Sequence, residues 1–561
     1  MTFRGATSYR VAVLAALLSS CAALAGQAPE PIVPQPGQNR PLPEIAPSPD
    51  LNFTIQAPQR SPVPRAVEDL TFDVKAIRVI GVTSYSPDRL AAITDLLIGK
   101  TVHLADLIAV ADQIEARYHD DGFLLTRAFV PAQSVTDGSF QITVVEGYVA
   151  AIAVQGGAED SRRRVEHILS PVTLSRPLQL AVLETALLDA NQIPGVAVTG
   201  LLRPSPTEPA ASELVVSVSE APLGASLSAD NFGAANTGRW TIAADAAYHS
   251  PLGDGGQVTL DATVDPADYA KRHSLSGKYT APLPFTDDVT YSFSGLSSHG
   301  APGGTVANLK LITDSIAFGS RLAMPLIVSR AEKLTLDGGF TVQSADVKAL
   351  GSALTHDEWR VTDIDLAYQN TIWWDGVTNA SLDLSQGVPS LGATASGSAT
   401  LSRPGGHTDF TKLSGQIRRT QNITKDVSLA VTINGQYAVS SLLTGEEISY
   451  GGNFIGRGYD PGSITGDIGI GAASELQYNL DAASLGLDQA QLFGFFDNGK
   501  VWNHGGASPH DQIASTGAGI RATALTDLTI GLEFAQVLIS VPGNAEGRHS
   551  SRVMVNTSVR F

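Results

Sequence analysis

From Leu223 to Phe561 apolar and polar residues alternate with a period of two, in run after run. Trp240, Ile242, Ala244, Ala246 and Tyr248 interleave with Thr241, Ala243, Asp245, Ala247 and His249. Val427, Leu429, Val431 and Ile433 interleave with Ser428, Ala430, Thr432 and Asn434. Successive side chains of a strand point to opposite faces, so each run is a strand with one apolar face. Apolar outward and polar inward is the pattern of a transmembrane β-barrel, weak in one strand and strong when repeated. About sixteen such strands can be laid out, an even number as in single-chain bacterial barrels. Turns such as Pro302-Gly303-Gly304 separate them. In the last run Val553, Val555, Thr557, Val559 and Phe561 would face lipid, and Met554, Asn556, Ser558 and Arg560 the lumen.

Residues 71–221 have a different rhythm. Phe72 to Val79 alternates like one half-buried strand. Leu90, Ile93, Leu97 and Ile98 then recur at helical spacing, as do Leu107, Ile108, Ala111, Ile114 and Tyr118, which predicts helices over 87–97 and 104–118. Asp120-Asp121-Gly122 stops the second helix. Strands over 126–131 and 139–146, joined through Thr136-Asp137-Gly138, close the unit. A degenerate copy follows: a strand over 150–155, helices around 165–169 and 178–191, the segment Asn191-Gln192-Ile193-Pro194-Gly195-Val196, and a strand over 213–220. Arg162-Arg163-Arg164 reads as a solvated helix start, since three charges make a weak lipid-binding patch.

Two N-terminal stretches precede these units. Residues 1–25 have the parts of a secretory signal: Arg4 and Arg10, the apolar run Val11–Leu18, and Ala23-Leu24-Ala25 as a cleavage site. Cys21, the single cysteine, only loosely resembles an acylation site, and cleavage after Ala25 leaves a cysteine-free chain suited to an oxidising compartment. Across 26–70 prolines recur every few residues, so this stretch reads as an extended linker with no uninterrupted helical window.

Composition narrows the function. Charged residues make up 16% and glycines number 54, which suits many short strands and tight turns. After the leader no run reaches the roughly 20 apolar residues of a spanning helix. The net charge of −18 argues against nucleic acid as a partner, because phosphate binding needs concentrated Lys and Arg. Phosphate-binding loops, zinc-protease pairs and nucleophile elbows are absent from the sequence, and the histidines form no ligand cluster. Neither catalysis nor a cofactor or metal is indicated.

The chemistry that remains lies in two glycine- and aromatic-rich clusters, each around one charge. Gly451-Gly452-Asn453-Phe454-Ile455-Gly456-Arg457-Gly458-Tyr459-Asp460-Pro461-Gly462 carries a cation, and Phe495-Phe496-Asp497-Asn498-Gly499 an anion. Taken separately they read as a solvated loop arginine and a hairpin turn. Taken together they suggest a loop tip docked on a wall. Gly456-Arg457-Gly458-Tyr459 and Phe495-x-Asp497-x-Gly499 resemble, in order, two motifs of the Omp85 superfamily. More specifically they resemble those of the two-partner secretion transporters of the ShlB/FhaC/HecB family. Those barrels fold a loop with an Arg-Gly-Tyr/Phe tip against a wall strand reading Phe-x-Asp-x-Gly. Gly456 departs from the Val or Ile often found there.

The units over 71–148 and 149–221 resemble that family's two POTRA domains. Tyr118-x-x-x-Gly122-Phe123, Pro131-x-Gln133, Asp137-Gly138 and Val145-Glu146-Gly147 sit where the family has them. The resemblance implies an all-β fold: a 16-stranded transmembrane β-barrel over 222–561, with an inward loop over 441–467, preceded by two periplasmic α/β POTRA domains. Phe561 resembles the terminal barrel-assembly signal. The implied protein resides in the outer membrane of a Gram-negative bacterium. It captures an unfolded secreted protein by strand addition to a POTRA sheet edge, near 126–129 or 139–145, and exports it. Its other partners would be the barrel-assembly machinery during biogenesis and outer-membrane lipid. An assembly factor that inserts or folds other outer-membrane proteins is the alternative, and the POTRA units argue against a passive porin.

Overall fold

The computed structural model describes residues 53–55 and 71–561, apart from positions 136, 209–210, 254, 284–285, 287–288, 404, 505–509, 526 and 542–546. The expected leader over 1–25 with Cys21, and most of the 26–70 linker, lie outside the described residues. The described chain divides into two units.

The N-terminal unit holds two α/β modules. In the first, β2 (Thr71–Asp73) pairs with β4 (Thr101–His103), while β3 (Ala76–Ile80), β6 (Ser139–Val145) and β5 (Arg127–Phe129) form a sheet in that order. The single strand expected over 72–79 is therefore two. Around Val74 and Lys75 the backbone changes partners, with Val74 N donating to Lys100 O and Lys75 N to Gly138 O. Helices α1 (Pro87–Thr94) and α2 (Leu104–Asp120) cover the sheet. Asp106 accepts from the His103 backbone N–H at 2.8 Å, closing the start of α2. Its end is a glycine turn, with Gly122 at φ +90° and Phe123 N donating to Tyr118 O at 2.8 Å. Leu107, Ile114, Tyr118 and Ile142 are fully buried, each side chain contributing about 1.5–3 kcal/mol.

The second module has β7 (Tyr148–Gly156), helices α3 (Glu159–Leu169), α4 (Pro171–Leu174) and α5 (Leu180–Ala190), then β8 (Val196–Pro204) and β9 (Ala211–Glu220). β8 is longer than the Ile-Pro-Gly-Val segment suggests, because Val198 and Leu202 turn inward at strand spacing and are buried. The linker also needs correcting. Phe53–Ile55 is a strand, β1, lying parallel to β8 with Phe53 opposite Gly200 and Ile55 opposite Leu202. The aromatic and β-branched triplet packs against the module's core although the neighbouring sequence is proline-rich. Sheet order is β1, β8, β9, β7.

The C-terminal unit is a closed barrel of 16 strands, from Leu223–Asp230 to Ser551–Arg560. Its strand-to-strand registers are antiparallel. Alternation sets the faces. Ile242, Tyr248, Ile433 and Val553 are exposed on the outer surface, while Ser428, Ala430, Thr432 and Met554 are buried inward. With no water in hydrocarbon to satisfy backbone groups, closure is what lets these strands cross a bilayer. Phe561 lies just past the last strand, exchanges backbone hydrogen bonds with Ala225 and is 77% exposed.

Candidate functional site: the inward loop and its wall

The connection from Ala438 to Ile468 does not simply turn. Strands Ile448–Tyr450 and Ile464–Gly466 pair as a short antiparallel hairpin, and its tip packs on the inner faces of strands Gln489–Trp502 and His510–Ala524. Gly456 takes φ +90°, which aims the next residue at the wall. Arg457 then meets Asp497 as a two-pronged fork, Nε to Oδ2 at 3.1 Å and Nη2 to Oδ1 at 3.0 Å. Asp497 also accepts from the backbone N–H groups of Gly456 and Arg457, at 3.3 and 3.2 Å, and from Ser515 Oγ at 3.3 Å. The Phe495 ring lies 3.4 Å from the guanidinium carbon, the geometry of a cation–π contact. Asp497 is therefore mid-strand, and a hairpin turn at Asp497-Asn498-Gly499 is excluded.

Phe495, Asp497 and Gly499 share the inner face by alternation. Gly499 is required by close approach: a Cβ there would lie 2.8 Å from Tyr450 Cγ. Tyr459 is fully buried. Its hydroxyl proton has Ala514 O at 2.9 Å and Ile539 O as alternative acceptors, and its oxygen accepts from Ala514 N at 3.2 Å. Gly458 lets the tip sit close to Ser515 and Val537.

Several charged residues of this site were not anticipated. Arg457 Nη1 reaches Glu475 at 2.9 Å and Glu533 at 3.6 Å, and Arg521 holds the other Glu475 oxygen at 2.7 Å. At the loop's root Arg403 pairs with Asp467 and with Glu447, the latter at 2.8 Å, and Lys412 pairs with Glu446 at 2.6 Å. Trp359 Nε1 donates to Glu446 at 2.8 Å. Glu475, Arg521, Glu533 and Lys412 stand in barrel strands, where an inward charge reads as one more lumen-facing polar residue, and Arg403, Glu446, Glu447 and Asp467 lie outside the strands, so no local pattern singles them out.

The motif residues of the first N-terminal module hold the fold. Tyr118 OH donates to Glu146 at 2.6 Å, and the Thr83 and Ser84 backbone N–H groups donate to the same oxygen at 2.9 Å. Burial opposes ionisation of Glu146, but these hydrogen bonds outweigh it and leave its carboxyl below the usual value. Burial, together with Glu146, pushes the Tyr118 phenol up. Tyr118 and Phe123 meet edge to face at 5.8 Å. Gly122 O and Gly147 O accept from Leu180 and Leu178 of the second module, so these two glycines join the modules. Two residues beyond β5, Pro131 leads to Gln133, whose amide clasps both backbone groups of Gln141 at 2.8 and 2.9 Å. Asp137 accepts from Ser139 N at 3.0 Å, and Gly138 takes φ +79°.

A family model described as haemolysin secretion/activation protein ShlB/FhaC/HecB matches residues 211–522, and one for the ShlB-type POTRA domain matches 72–147. The chain belongs to the ShlB/FhaC/HecB family. Like its members it is an outer-membrane β-barrel with N-terminal POTRA domains on the periplasmic side. The heme/hemopexin transporter protein HuxB of Haemophilus influenzae strain 86-028NP is 24% identical over 544 residues, 93% of each chain. The hemolysin transporter protein ShlB of Serratia marcescens is 25% identical over 486 residues, 82% of this chain and 81% of that one. Among solved structures, CdiB from Escherichia coli shares the fold with a TM-score of 0.67 at 19% identity, over 90% of this chain and 93% of that one.

Proposed function

We propose that this family member exports an unfolded secreted protein through its barrel, and that the loop over 441–467 is the part that moves to let it pass. The observation that carries this reading is the buried Arg457–Asp497 fork, which holds a hairpin against the lumen wall through groups that a small displacement would break together. The chain offers no nucleotide-binding motif, so folding of the exported partner outside the cell would supply the direction.

Capture by strand addition needs an open sheet edge. β6 is central and cannot serve. The outer side of β5 is taken, because Glu115 accepts from Ala128 N at 3.0 Å and pairs with Arg127 at 2.7 Å. β1 occupies the outer side of β8. Among the described residues β3 and β7 are edge strands, as are β1 on its far side and both strands of the β2–β4 pair; β3 and β7 are longer than those three-residue strands, and they are the surfaces we assign to the exported chain.

The test uses a disulfide lock. A Cβ at Gly458 would lie 3.2 Å from Ser515 Cβ and 3.0 Å from Val537 Cγ2, a little tighter than the roughly 3.5–4.5 Å of disulfides, so Gly458→Cys with Ser515→Cys should fasten the tip to the wall after a shift of a few tenths of an ångström. Cells lacking the parental chain should lose a secreted polypeptide from the culture fluid and regain it with the parent. The locked variant should restore it only under reduction. Export by the oxidised, demonstrably crosslinked variant would refute the moving-loop reading. Loss of other outer-membrane barrels in the deleted cells, with unchanged culture fluid, would favour the assembly factor.

A further inference from the structure

The barrel closes on its shortest described seam. The first and last strands share five register pairs, Ser226 with Arg560 through Asp230 with Asn556. On their other sides these strands share eight pairs with Thr241–His249 and nine with Leu528–Val537. Beyond Asp230 one backbone bond, Asn231 N to Val555 O at 3.2 Å, continues the seam, and side chains supply the rest. Asn231 Oδ1 accepts from Val555 N at 2.8 Å, and its Nδ2 donates to Val553 O at 3.0 Å.

Arg552, on the last strand, reaches across this junction. Its Nη2 donates to Asn231 O at 2.9 Å and Gly233 O at 2.8 Å, in the connection that follows the first strand. Its Nη1 turns to the inward loop, donating to Tyr459 O at 3.0 Å and Asp460 Oδ1 at 3.2 Å. Asp460 completes the link by accepting from Arg239 Nη1 at 2.8 Å and from Ala235 N at 2.7 Å. One carboxylate, three residues from Arg457 along the chain, thus ties the loop tip to both sides of the seam.

We infer that Asp460 is a positioning residue that couples the docked loop to closure of the barrel, so that release of the loop takes the Asp460 clasp from the seam and leaves it to the short ladder and the direct bonds of Asn231 and Arg552. This inference rests on the loop over 441–467 being the moving part. Coupling is reciprocal: a seam held shut favours the docked loop, and a docked loop holds the seam.

Register partners Ser228 and Ser558 provide the test. In the full-length protein, Asp460→Ala and, separately, Arg239→Gln should convert from the folded to the unfolded gel form at temperatures at which the parent stays folded. In a background carrying an oxidised Ser228→Cys/Ser558→Cys disulfide, both variants should regain parental resistance, and reduction should abolish the rescue. Parental resistance in both variants without the disulfide overturns the inference, as does an equal loss with and without it. The Gly458/Ser515 lock separates this outcome from failure of the loop reading. A lock that stops export beside a seam indifferent to Asp460 removes the clasp alone, whereas a lock that permits export removes the moving loop.

Discussion

Replacing Asp497 by Ala removes five hydrogen bonds, and four of them tie the loop to the wall: two from the Arg457 guanidinium and two from the Gly456 and Arg457 backbone. Breaking a buried ion pair by deleting one partner costs about 3–5 kcal/mol. Here the low end applies, because Arg457 keeps Glu475 at 2.9 Å and Glu533 at 3.6 Å. Losing one of three clustered acids also relieves their mutual repulsion. About 3 kcal/mol corresponds to roughly a hundredfold shift from docked toward undocked loop. Ile455, 2% exposed beneath the tip, serves as reporter when changed to Cys in protein reconstituted into lipid vesicles. Its labelling by a maleimide should rise about a hundredfold with Asp497→Ala, with the barrel still migrating as the folded form. Glu533→Gln, which touches only the longer contact, should change labelling by no more than a few fold. A cysteine at 455 as protected in Asp497→Ala as in the parent would refute the lock.

Gly499→Ala places a methyl group against the Tyr450 ring; overpacking of this kind costs about 1–3 kcal/mol, and the same labelling assay should detect a loosened loop root with the charges intact. Because the Glu146 carboxyl is held below its ordinary value, its stabilisation is fully present above that value and fades as the pH falls through the lowered one. Protection factors for hydrogen exchange across α2, which correct for the intrinsic pH dependence of exchange, should therefore fall on acidification in the parent, and Glu146→Gln should flatten that dependence; an unchanged acid profile in the variant would remove Glu146 from the cause. Deleting Phe561, which exchanges backbone hydrogen bonds with Ala225 at the seam, should lower the amount of folded, heat-modifiable barrel in the outer membrane, and parental levels would show that it is dispensable for assembly.

Period-two alternation made the barrel legible, because lipid outside and polar lumen inside leave the same mark on every strand. Arg457 and Asp497 stood out through their glycine and aromatic neighbours. Glu475, Glu533 and Arg521 did not, since a charge at an inward position looks like any other lumen-facing polar residue until three strands bring it to one point. Asp460-Pro461-Gly462 read as turn chemistry, and only the fold placed Arg239 and Arg552, far away in sequence, around Asp460. In the first POTRA domain local periodicity found α1 and α2 but could not order the sheet. The register that puts β6 in the middle, and Glu115 over the edge of β5, depends on packing between distant segments.

The strand Phe53–Ile55 has a consequence for selectivity. It already fills the outer side of β8 and belongs to the same chain, so it competes for that side at an effective concentration on the order of millimolar, as short tethers do. A free segment present at about micromolar concentration would need roughly a thousandfold stronger intrinsic hold on β8 to occupy half of the molecules. Casual unfolded polypeptides are thereby turned away from this edge, and β-edge aggregation between copies is blunted. A sequence able to displace the resident triplet would have to fill the core contacts of Phe53 and Ile55 better than they do.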